Sequence, residues 1–389
     1  MNIFVLNRGS SSIKCSVFKW DALPEQPAPP LWRAHLQWKN HFDEASLSIN
    51  GSAPCAIQCR TSGEALEKIV ESWQANNAQI AAIGHRIVHG GKYFKESAHI
   101  DSSVKEKIRS LAEFAPLHNF DDLEGIDILE KRFAGVPQIA VFDTAFHSSM
   151  PLAATVYGGP YSWYEKDIRR YGFHGISFQY CARRVEQVAG APLERVILCH
   201  LGSGASLCAV KEGKSIDTTM GFTPLEGLVM DTRSGSIDPG ILLHFMQQRR
   251  SAQELTRELY HTSGLLGLSG TSSDMRDILA RAAKNESRAT LALEVYLHRL
   301  NASIGGMLAS LEGMDAIVFT AGIGENTPLI RKRACQAFSF LGLALDEEKN
   351  ERAERRDKEI SASHTKVRTF VILAQEAFEI ARECWKLTR

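Results

Sequence analysis

Three glycine-containing turns in this sequence have the residue types of anion-binding loops. Each follows a short apolar run, and the turns occupy Asn7–Ser12, which Lys14 follows, Gly202–Gly204 and Thr320–Asn326. Small residues let several backbone N–H groups approach one anion, and a strand that ends in the turn fixes its position. A single G-x-G motif is a weak signal, but three such turns predict one ligand that is held at several phosphate groups.

The common phosphate-binding fingerprints do not account for these turns. Gly213-Lys214-Ser215 is not a P-loop, because Cys208 stands where the leading glycine is required. The dinucleotide fingerprint is also incomplete, because Leu207 and Thr327 occupy its third glycine position. The sequence therefore argues against both a P-loop and a Rossmann site.

Charged side chains follow several predicted strands and could complete such a site. Arg86 comes just after the predicted strand Ile80–Ile83, and Asp143 comes just after Gln138–Phe142. Arg233 lies in a loop that is rich in turn residues. Ligands of open α/β sheets bind at the carboxyl ends of strands, so the arginines are candidate anion clamps and Asp143 a candidate metal ligand or base. A surface arginine and a structural turn aspartate are the alternatives.

The elements that position these residues are predicted from apolar spacing. Alternation indicates a hairpin over residues 1–18 and a strand at Phe370–Ala374. Spacing of three and four predicts helices, which we place at Ser103–Phe114, Asp122–Phe133, Ser177–Val188, residues 286–312 and the charge-rich residues 346–358.

Length and composition limit the class of protein. A chain of 389 residues exceeds a usual single core, which predicts two domains. Lys plus Arg and Asp plus Glu are equal at 45 each, so overall charge points neither to nucleic acid nor to a membrane surface. The eight cysteines include no C-x-x-C pair, which favours a reducing compartment. With no leader-like or membrane-length apolar run, a cytoplasmic location is expected.

Longer motifs give the chain a specific resemblance to the acetokinase family of the acetate-and-sugar-kinase/actin superfamily. The motifs, in order, are N-x-G-S-S-S-x-K at 7–14, G-H-R-x-V-H-G-G at 84–91, A-P-L-H-N at 115–119, F-D-T-A-F-H at 142–147, R-R-Y-G-F-H-G at 169–175, M-G-F-T-P-L-E-G-L at 220–228, T-R-S-G at 232–235, S-S-D-x-R at 272–276 and T-A-G-I-G-E-N at 320–326. The match runs from Asn7 to the last helix.

The resemblance implies an α/β protein with a duplicated ribonuclease-H-like (actin-like) fold, each domain having a βββαβαβα core. It places the first domain at residues 1–145, completed by the C-terminal helix 377–389. The second domain, residues 146–376, would contain the nucleotide pocket and the interface of a homodimer.

The implied reaction is reversible phosphoryl transfer from ATP to acetate, which gives acetyl phosphate and ADP and uses Mg²⁺, with Mn²⁺ as an alternative. A carboxylic acid titrates near ~4, so acetate is already ionised at neutral pH and needs no general base. The obstacle is the approach of one anion to another, so catalysis should come from alignment and from cations on the phosphoryl oxygens.

The resemblance also implies roles for individual residues. Arg86 and Arg233 would bind acetate and the phosphoryl group, since a guanidinium binds two oxygens at once. His174 would stabilise the transferring phosphoryl group with support from His118. The implied metal ligands are Asn7, Asp143 and Glu376.

Two further sets would line the substrates. Apolar residues around the acetate methyl would be Val88, Leu117, Phe173 and Pro224, which favours acetate over propionate by a small margin. The nucleotide set would be Ser10, Ser12, Lys14, His200, Gly202, Ser203, Gly204, Asp274, Met275, Arg276, Gly322, Ile323, Gly324 and Asn326.

Several positions depart from the family pattern. Ser203 stands in place of Asn, Asp231 in place of Gly and Ser236 in place of Asp, and Phe120, Ile176 and Phe178 stand in place of Pro, Thr and His. The alternatives are a propionate or other short-chain acyl kinase, a pyrophosphate-dependent variant, and a non-enzymatic nucleotide switch of the actin or chaperone type.

Overall fold

The structure is a computed structural model that describes residues 1–9, 12–38, 45–74, 78–113, 119–352 and 356–389. The predicted site residues Ser10, Leu117 and His118 lie outside the described residues. The chain divides into two compact units. The first unit contains Met1–Phe146, Gly175–Ser177 and Gln375–Arg389, and the second contains His147–His174 and Phe178–Ala374.

The strands in chain order are β1 (Asn2–Gly9), β2 (Ser12–Lys19), β3 (Trp32–Gln37), β4 (Ala45–Ile49), β5 (Cys55–Ile57), β6 (Ala82–Ile87), β7 (Ala98–His99), β8 (Gln138–Phe142), β9 (Arg195–Leu201), β10 (Ala205–Lys211), β11 (Lys214–Thr218), β12 (Ala316–Thr320), β13 (Lys358–Glu359) and β14 (Arg368–Val371).

The helices in chain order are α1 (Ser62–Gln74), α2 (Ser102–Ser110), α3 (Asn119–Arg132), α4 (Leu152–Thr155), α5 (Tyr161–Glu165), α6 (Gly175–Ala189), α7 (Pro239–Gln247), α8 (Ala252–His261), α9 (Gly264–Ser269), α10 (Met275–Ala282), α11 (Ser287–Leu311), α12 (Ala321–Asn326), α13 (Pro328–Gln336), α14 (Glu347–Glu351) and α15 (Glu376–Leu387). Among the described residues, none of these helices is long and apolar enough to cross a bilayer.

The first unit is built on an eight-stranded sheet in the order β5-β4-β3-β2-β1-β6-β8-β7. β1 is antiparallel to β2 and parallel to β6, and β6 is parallel to β8. Because parallel strands end at the same edge of a sheet, the carboxyl ends of β1, β6 and β8 lie together. The register sets Ile87 opposite Phe142, which puts Asp143 immediately beyond that edge.

The second unit repeats this arrangement with a six-stranded sheet in the order β11-β10-β9-β12-β14-β13. Its antiparallel strands β11, β10 and β9 are followed by the parallel strands β12 and β14. This order matches β3-β2-β1-β6-β8 of the first unit. The predicted duplicated α/β fold is confirmed by this common topology.

The C-terminal helix α15 packs directly on the sheet of the first unit. Gly84 of β6 has no room for a side chain, because a Cβ there would lie 2.5 Å from Cys384 Sγ and 2.6 Å from Ile380 Cγ2. The ring of Phe378 lies 5.3 Å from that of Trp20, so aromatic packing adds to the contact. α15 is therefore an integral layer of the first unit.

Several predicted elements differ from those observed. β6 continues to Ile87, so Arg86 lies within the strand, where pairing with β8 extends the ladder. Thr320–Asn326 is not an open turn, since α12 begins at Ala321. The charge-rich residues 346–358 form a helix only over Glu347–Glu351, because the chain then turns towards β13.

Candidate active site

Arg86 and Asp143 form a buried ion pair at the carboxyl edge of the first sheet. Arg86 donates from Nε and Nη2 to Asp143 Oδ2, at 2.9 and 2.5 Å, and from Nη1 to the carbonyl oxygen of Arg8 at 3.1 Å. A guanidinium has five N–H groups, and its hydrogen bonds to described residues use three of them. Burial disfavours the charge on Arg86, but Asp143 and Glu376 outweigh this and raise its pKa.

Asn7 and Glu376 meet at the same edge. The Asn7 side-chain amide donates to Glu376 Oε2 at 2.7 Å, which joins the end of β1 to the first residue of α15. Asn7 is also paired with Lys14 across the β1–β2 hairpin. Together with Asp143 these groups offer amide and carboxylate oxygens, the donors that Mg²⁺ prefers.

A second buried carboxylate, Asp122 of α3, supports the strand end. Its Oδ2 accepts the backbone N–H of Val88 at 3.0 Å, immediately after β6. Burial raises the pKa of Asp122 to about 7, although the Val88 N–H and the charge on Arg86 favour ionisation. The sequence pattern did not identify Asp122 as part of this region.

In the second unit, His174 has a strained backbone conformation and a fixed ring. Its φ of 57° and ψ of 22° lie in the left-handed region, which costs a non-glycine residue roughly 1 kcal/mol. The Nδ1 atom lies 2.8 Å from the hydroxyl of Ser206, and the ring stacks on His200 with centroids 4.2 Å apart. These two contacts fix the orientation of the His174 ring.

His147 holds the backbone that precedes His174. Its Nε2 lies 3.0 Å from the Phe173 carbonyl oxygen and its Nδ1 lies 2.8 Å from Ser215 Oγ. Burial lowers the pKa of His147 to about 4, so the ring is neutral. A carbonyl only accepts, so Nε2 carries the proton and Nδ1 accepts from the serine hydroxyl.

The turn after β9 lies against His174 and Arg233. The Gly202 N–H donates to the Gly204 carbonyl at 3.1 Å, which closes the turn. A Cβ at Gly204 would lie 3.2 Å from His174 Nε2 and 3.5 Å from Arg233 Nη1. A histidine nitrogen and a guanidinium nitrogen therefore both lie next to one small residue of the candidate anion-binding loop.

The loop that contains Pro224 is braced by a polar network. Arg233 Nη1 donates to the Pro224 carbonyl at 3.0 Å. Glu226 accepts from Arg170 at 2.7 Å and from the Tyr157 hydroxyl at 2.5 Å. Arg170 therefore helps to hold the loop that contains Pro224. The R-R-Y-G-F-H-G motif did not indicate this role for Arg170.

The predicted adenosine residues fall in two places within the second unit. Asp274 caps α10 by accepting the Arg276 N–H at 2.8 Å, and its carboxylate also pairs with the Arg276 side chain. Met275 is buried, as expected for the inner face of α10. At α12, the Asn326 side chain donates to the Gly322 carbonyl at 2.8 Å.

Arg331 is a buried residue that the sequence reasoning missed. Its guanidinium donates to the carbonyls of Gly324 and Glu325, each at 2.9 Å, and to both oxygens of Asn350, at 2.8 and 2.7 Å. None of these acceptors is a carboxylate, and burial lowers the pKa of Arg331 to about 10. The carboxyl-terminal part of α12 is thus held by a charge-assisted network.

The predicted residues therefore group within each unit. The first unit brings together Asn7, Arg86, Asp143 and Glu376, with Val88, Ser12 and Lys14 on the same strands or just beyond them. The second unit brings together His174, His200, Gly204 and Arg233.

The matched strand order and the polar strand ends define an actin-like α/β protein of the phosphotransferase type. The sequence profile described as the Acetokinase family matches residues 2–382. An acetate kinase of Microcystis aeruginosa is 49% identical over 401 residues, and one of Gloeobacter violaceus is 48% identical over 405, with 100% of each chain covered in both cases.

Solved structures agree with the sequence relatives. The crystal structure of Porphyromonas gingivalis acetate kinase has a TM-score of 0.90 at 33% identity, with 100% of both chains covered. A propionate kinase from Francisella tularensis has a TM-score of 0.90 at 36% identity, with 99% of both chains covered. The chain belongs to the acetokinase family and is a kinase that transfers phosphate to acetate.

Proposed function

We propose that this chain transfers the γ-phosphoryl group of Mg²⁺-bound ATP directly, in line, to an acetate oxygen. The observation that carries the proposal is the convergence of His174 Nε2 and Arg233 Nη1 on Gly204. Donors fixed before the reaction stabilise charge that develops on the equatorial phosphoryl oxygens without having to reorganise.

The planar guanidinium group of Arg86 supports binding of the acceptor carboxylate. Three of its donors are engaged by Asp143 and the Arg8 carbonyl, which fixes the plane of the guanidinium. The remaining two N–H groups can then bind an anion in one orientation. Such orientation lowers the barrier by removing rotational freedom before the reaction.

Asn7, Asp143 and Glu376 fit a Mg²⁺ site of the water-rich type. No group of three His, Cys, Asp or Glu side chains forms a metal cluster in the described part of the chain. Mg²⁺ commonly retains several waters and uses one or two carboxylates together with substrate phosphates. When bound, the ion would neutralise phosphate charge, and these residues would hold it beside the strand ends.

Acetate is proposed to be preferred over propionate. In the first unit Val88 is buried, and in the second unit Phe173 is buried and Pro224 is half-buried with its carbonyl bound by Arg233. One methylene changes binding by only ~1–3 kcal/mol, so propionate should be a poorer substrate and not an excluded one. Because the chain is also similar to a propionate kinase, the preference for acetate needs a direct comparison of the two substrates.

We also propose a cytoplasmic homodimer. All eight cysteines are free thiols, and seven of them are buried, where a thiol packs as a small apolar side chain. Free thiols of this kind favour a reducing compartment. α7 has no buried residue, and Ile241, Leu243 and Met246 are 43%, 61% and 56% exposed. Such an apolar helix is typical of a self-association surface, and sedimentation at several concentrations would show a monomer if this is wrong.

A hydroxamate assay with acetate, propionate and butyrate, each with ATP or pyrophosphate, tests the function. We expect acyl phosphate formation with ATP and the highest kcat/KM for acetate. Equal values for acetate and butyrate would contradict the pocket assignment, and product formation with pyrophosphate alone would contradict the donor assignment. ADP release without any acceptor would instead favour a nucleotide switch.

A further inference from the structure

The turn after β9 has a carboxylate on one side and a cation on the other. Gly204 lies close to Arg233, whereas the interaction of the neighbouring Ser203 side chain with Asp231 favours ionisation of the Asp231 carboxyl group. The Asp231 backbone N–H also donates to the Ser203 carbonyl at 3.3 Å. An acidic side chain is thus attached to a loop whose proposed ligand is a polyphosphate.

The position of Asp231 is fixed by its surroundings. The N–H of Leu266 in α9 donates to the Asp231 carbonyl at 3.0 Å, and the Met230 N–H donates to the Arg233 carbonyl at 3.2 Å. Gly264 touches this segment so closely that a Cβ there would lie 3.0 Å from the Asp231 carbonyl carbon. The backbone of Asp231 is therefore held beside the Gly202–Gly204 turn.

The charged groups around Asp231 do not neutralise its negative charge. Asp274, before α10, opposes its ionisation, while Arg233 and the Ser203 hydroxyl favour it. Burial and the negative charge of Asp231 together raise the pKa of the Tyr296 phenol in α11. Burial has the largest effect and raises the pKa of Asp231 to about 6. The carboxyl group is therefore charged at neutral pH and neutral in mildly acidic solution.

We propose that Asp231 is a specificity-determining residue that weakens nucleotide binding in proportion to the number of phosphate groups on the nucleotide. This inference rests on the proposed function, because it takes the Gly202–Gly204 turn as the phosphate site. A fixed negative charge repels ATP more than ADP, and ADP more than AMP, since more phosphate charge lies near it. Protonation of Asp231 removes this discrimination.

The test is calorimetric binding of ATP, ADP and AMP, each without acetate, to the full chain and to Asp231→Asn. Asn has the same shape and keeps an acceptor for Ser203, so it removes the charge with little change to the loop. At about pH 8 we expect Asp231→Asn to bind ATP about fivefold more tightly and AMP unchanged, a size typical of one partly screened charge. At about pH 5 the two proteins should bind ATP with the same affinity. Because the parent chain and the variant are compared at the same pH, protonation of the nucleotide affects both measurements equally.

Glu165→Gln is the matched control, because it removes one exposed carboxylate of α5 in the same unit. It should bind all three nucleotides as the parent chain does. Equal tightening of ATP and AMP by Asp231→Asn, or no change for either, overturns the proposal. Failure of the parent chain to bind any nucleotide would instead show that the proposed function is wrong.

Discussion

Two donors of Arg86 converge on a single oxygen of Asp143. Nε and Nη2 donate to Oδ2 at 2.9 and 2.5 Å, and the carboxylate also accepts the backbone N–H of Ile176. The pair therefore sets the orientation of the guanidinium through geometry that a single-point cation does not reproduce.

Arg86→Lys should lower kcat/KM for acetate about a hundredfold. Lysine keeps the charge but cannot both pair with Asp143 and present two parallel N–H groups to the acceptor. The hydroxamate assay measures the loss, and Arg109→Lys on the exposed surface of α2 is the control. Parent-like kcat/KM in Arg86→Lys would show that the fork is not needed.

Gly204→Ala should reduce kcat at least tenfold with little loss of stability. The added Cβ would lie 3.2 Å from His174 Nε2 and occupy space that the phosphoryl group needs. Gly305→Ala in α11 is the control, since nothing lies within 4 Å of its Cβ position. Replacing a mid-helix glycine there should stabilise the chain by about 0.5–1 kcal/mol, and unaltered kcat in Gly204→Ala would refute the convergence argument.

Asp122→Asn should change how stability depends on pH. The pKa of Asp122 is raised to about 7 in the folded chain, so the folded state binds more protons than the unfolded state between about pH 4 and 7. Its contribution to the free energy of unfolding is therefore lost as the pH rises through this window. The Asn variant should gain roughly 4 kcal/mol relative to the parent at about pH 8 and nothing at about pH 4.

Urea unfolding at several pH values measures this difference. A constant difference between the two proteins at all pH values would mean that Asp122 titrates normally. Asp127→Asn on the exposed side of α3 serves as a control of equal charge change, although it also removes an exposed contact to Lys105 worth less than about 1 kcal/mol.

Arg331→Met should destabilise the second unit by about 3 kcal/mol. The substitution leaves the carbonyls of Gly324, Glu325 and Asn350 without their charged donor in a buried region. Denaturant unfolding measures the loss. The conservative Arg331→Lys should recover part of the stability, and equal stability of Met and parent would show that the network contributes nothing.

The sequence predicted the parts of the site that depend on local order. The glycine turn after an apolar run correctly indicated the end of β9, and Asp143 follows β8 as expected, whereas β1 continues to Gly9, into the predicted turn. Sequence could not place Asp122 or Arg331, because their roles depend on partners 34 and 6 to 19 residues away. The left-handed backbone of His174 was equally hidden, since even histidine, which is enriched in that region, adopts the conformation only rarely.

The dense contact between Gly84 and α15 also constrains the timing of biosynthesis. Residues 375–389 are synthesised after residues 178–374, yet they complete a sheet whose first strand lies in residues 1–146. While residues 178–374 are translated, the apolar surface around Gly84, Phe18 and Trp20 lacks the cover that α15 provides. The sheet of the first unit therefore becomes native only after residues 375–389 have been made, and chaperone protection is most needed in that interval.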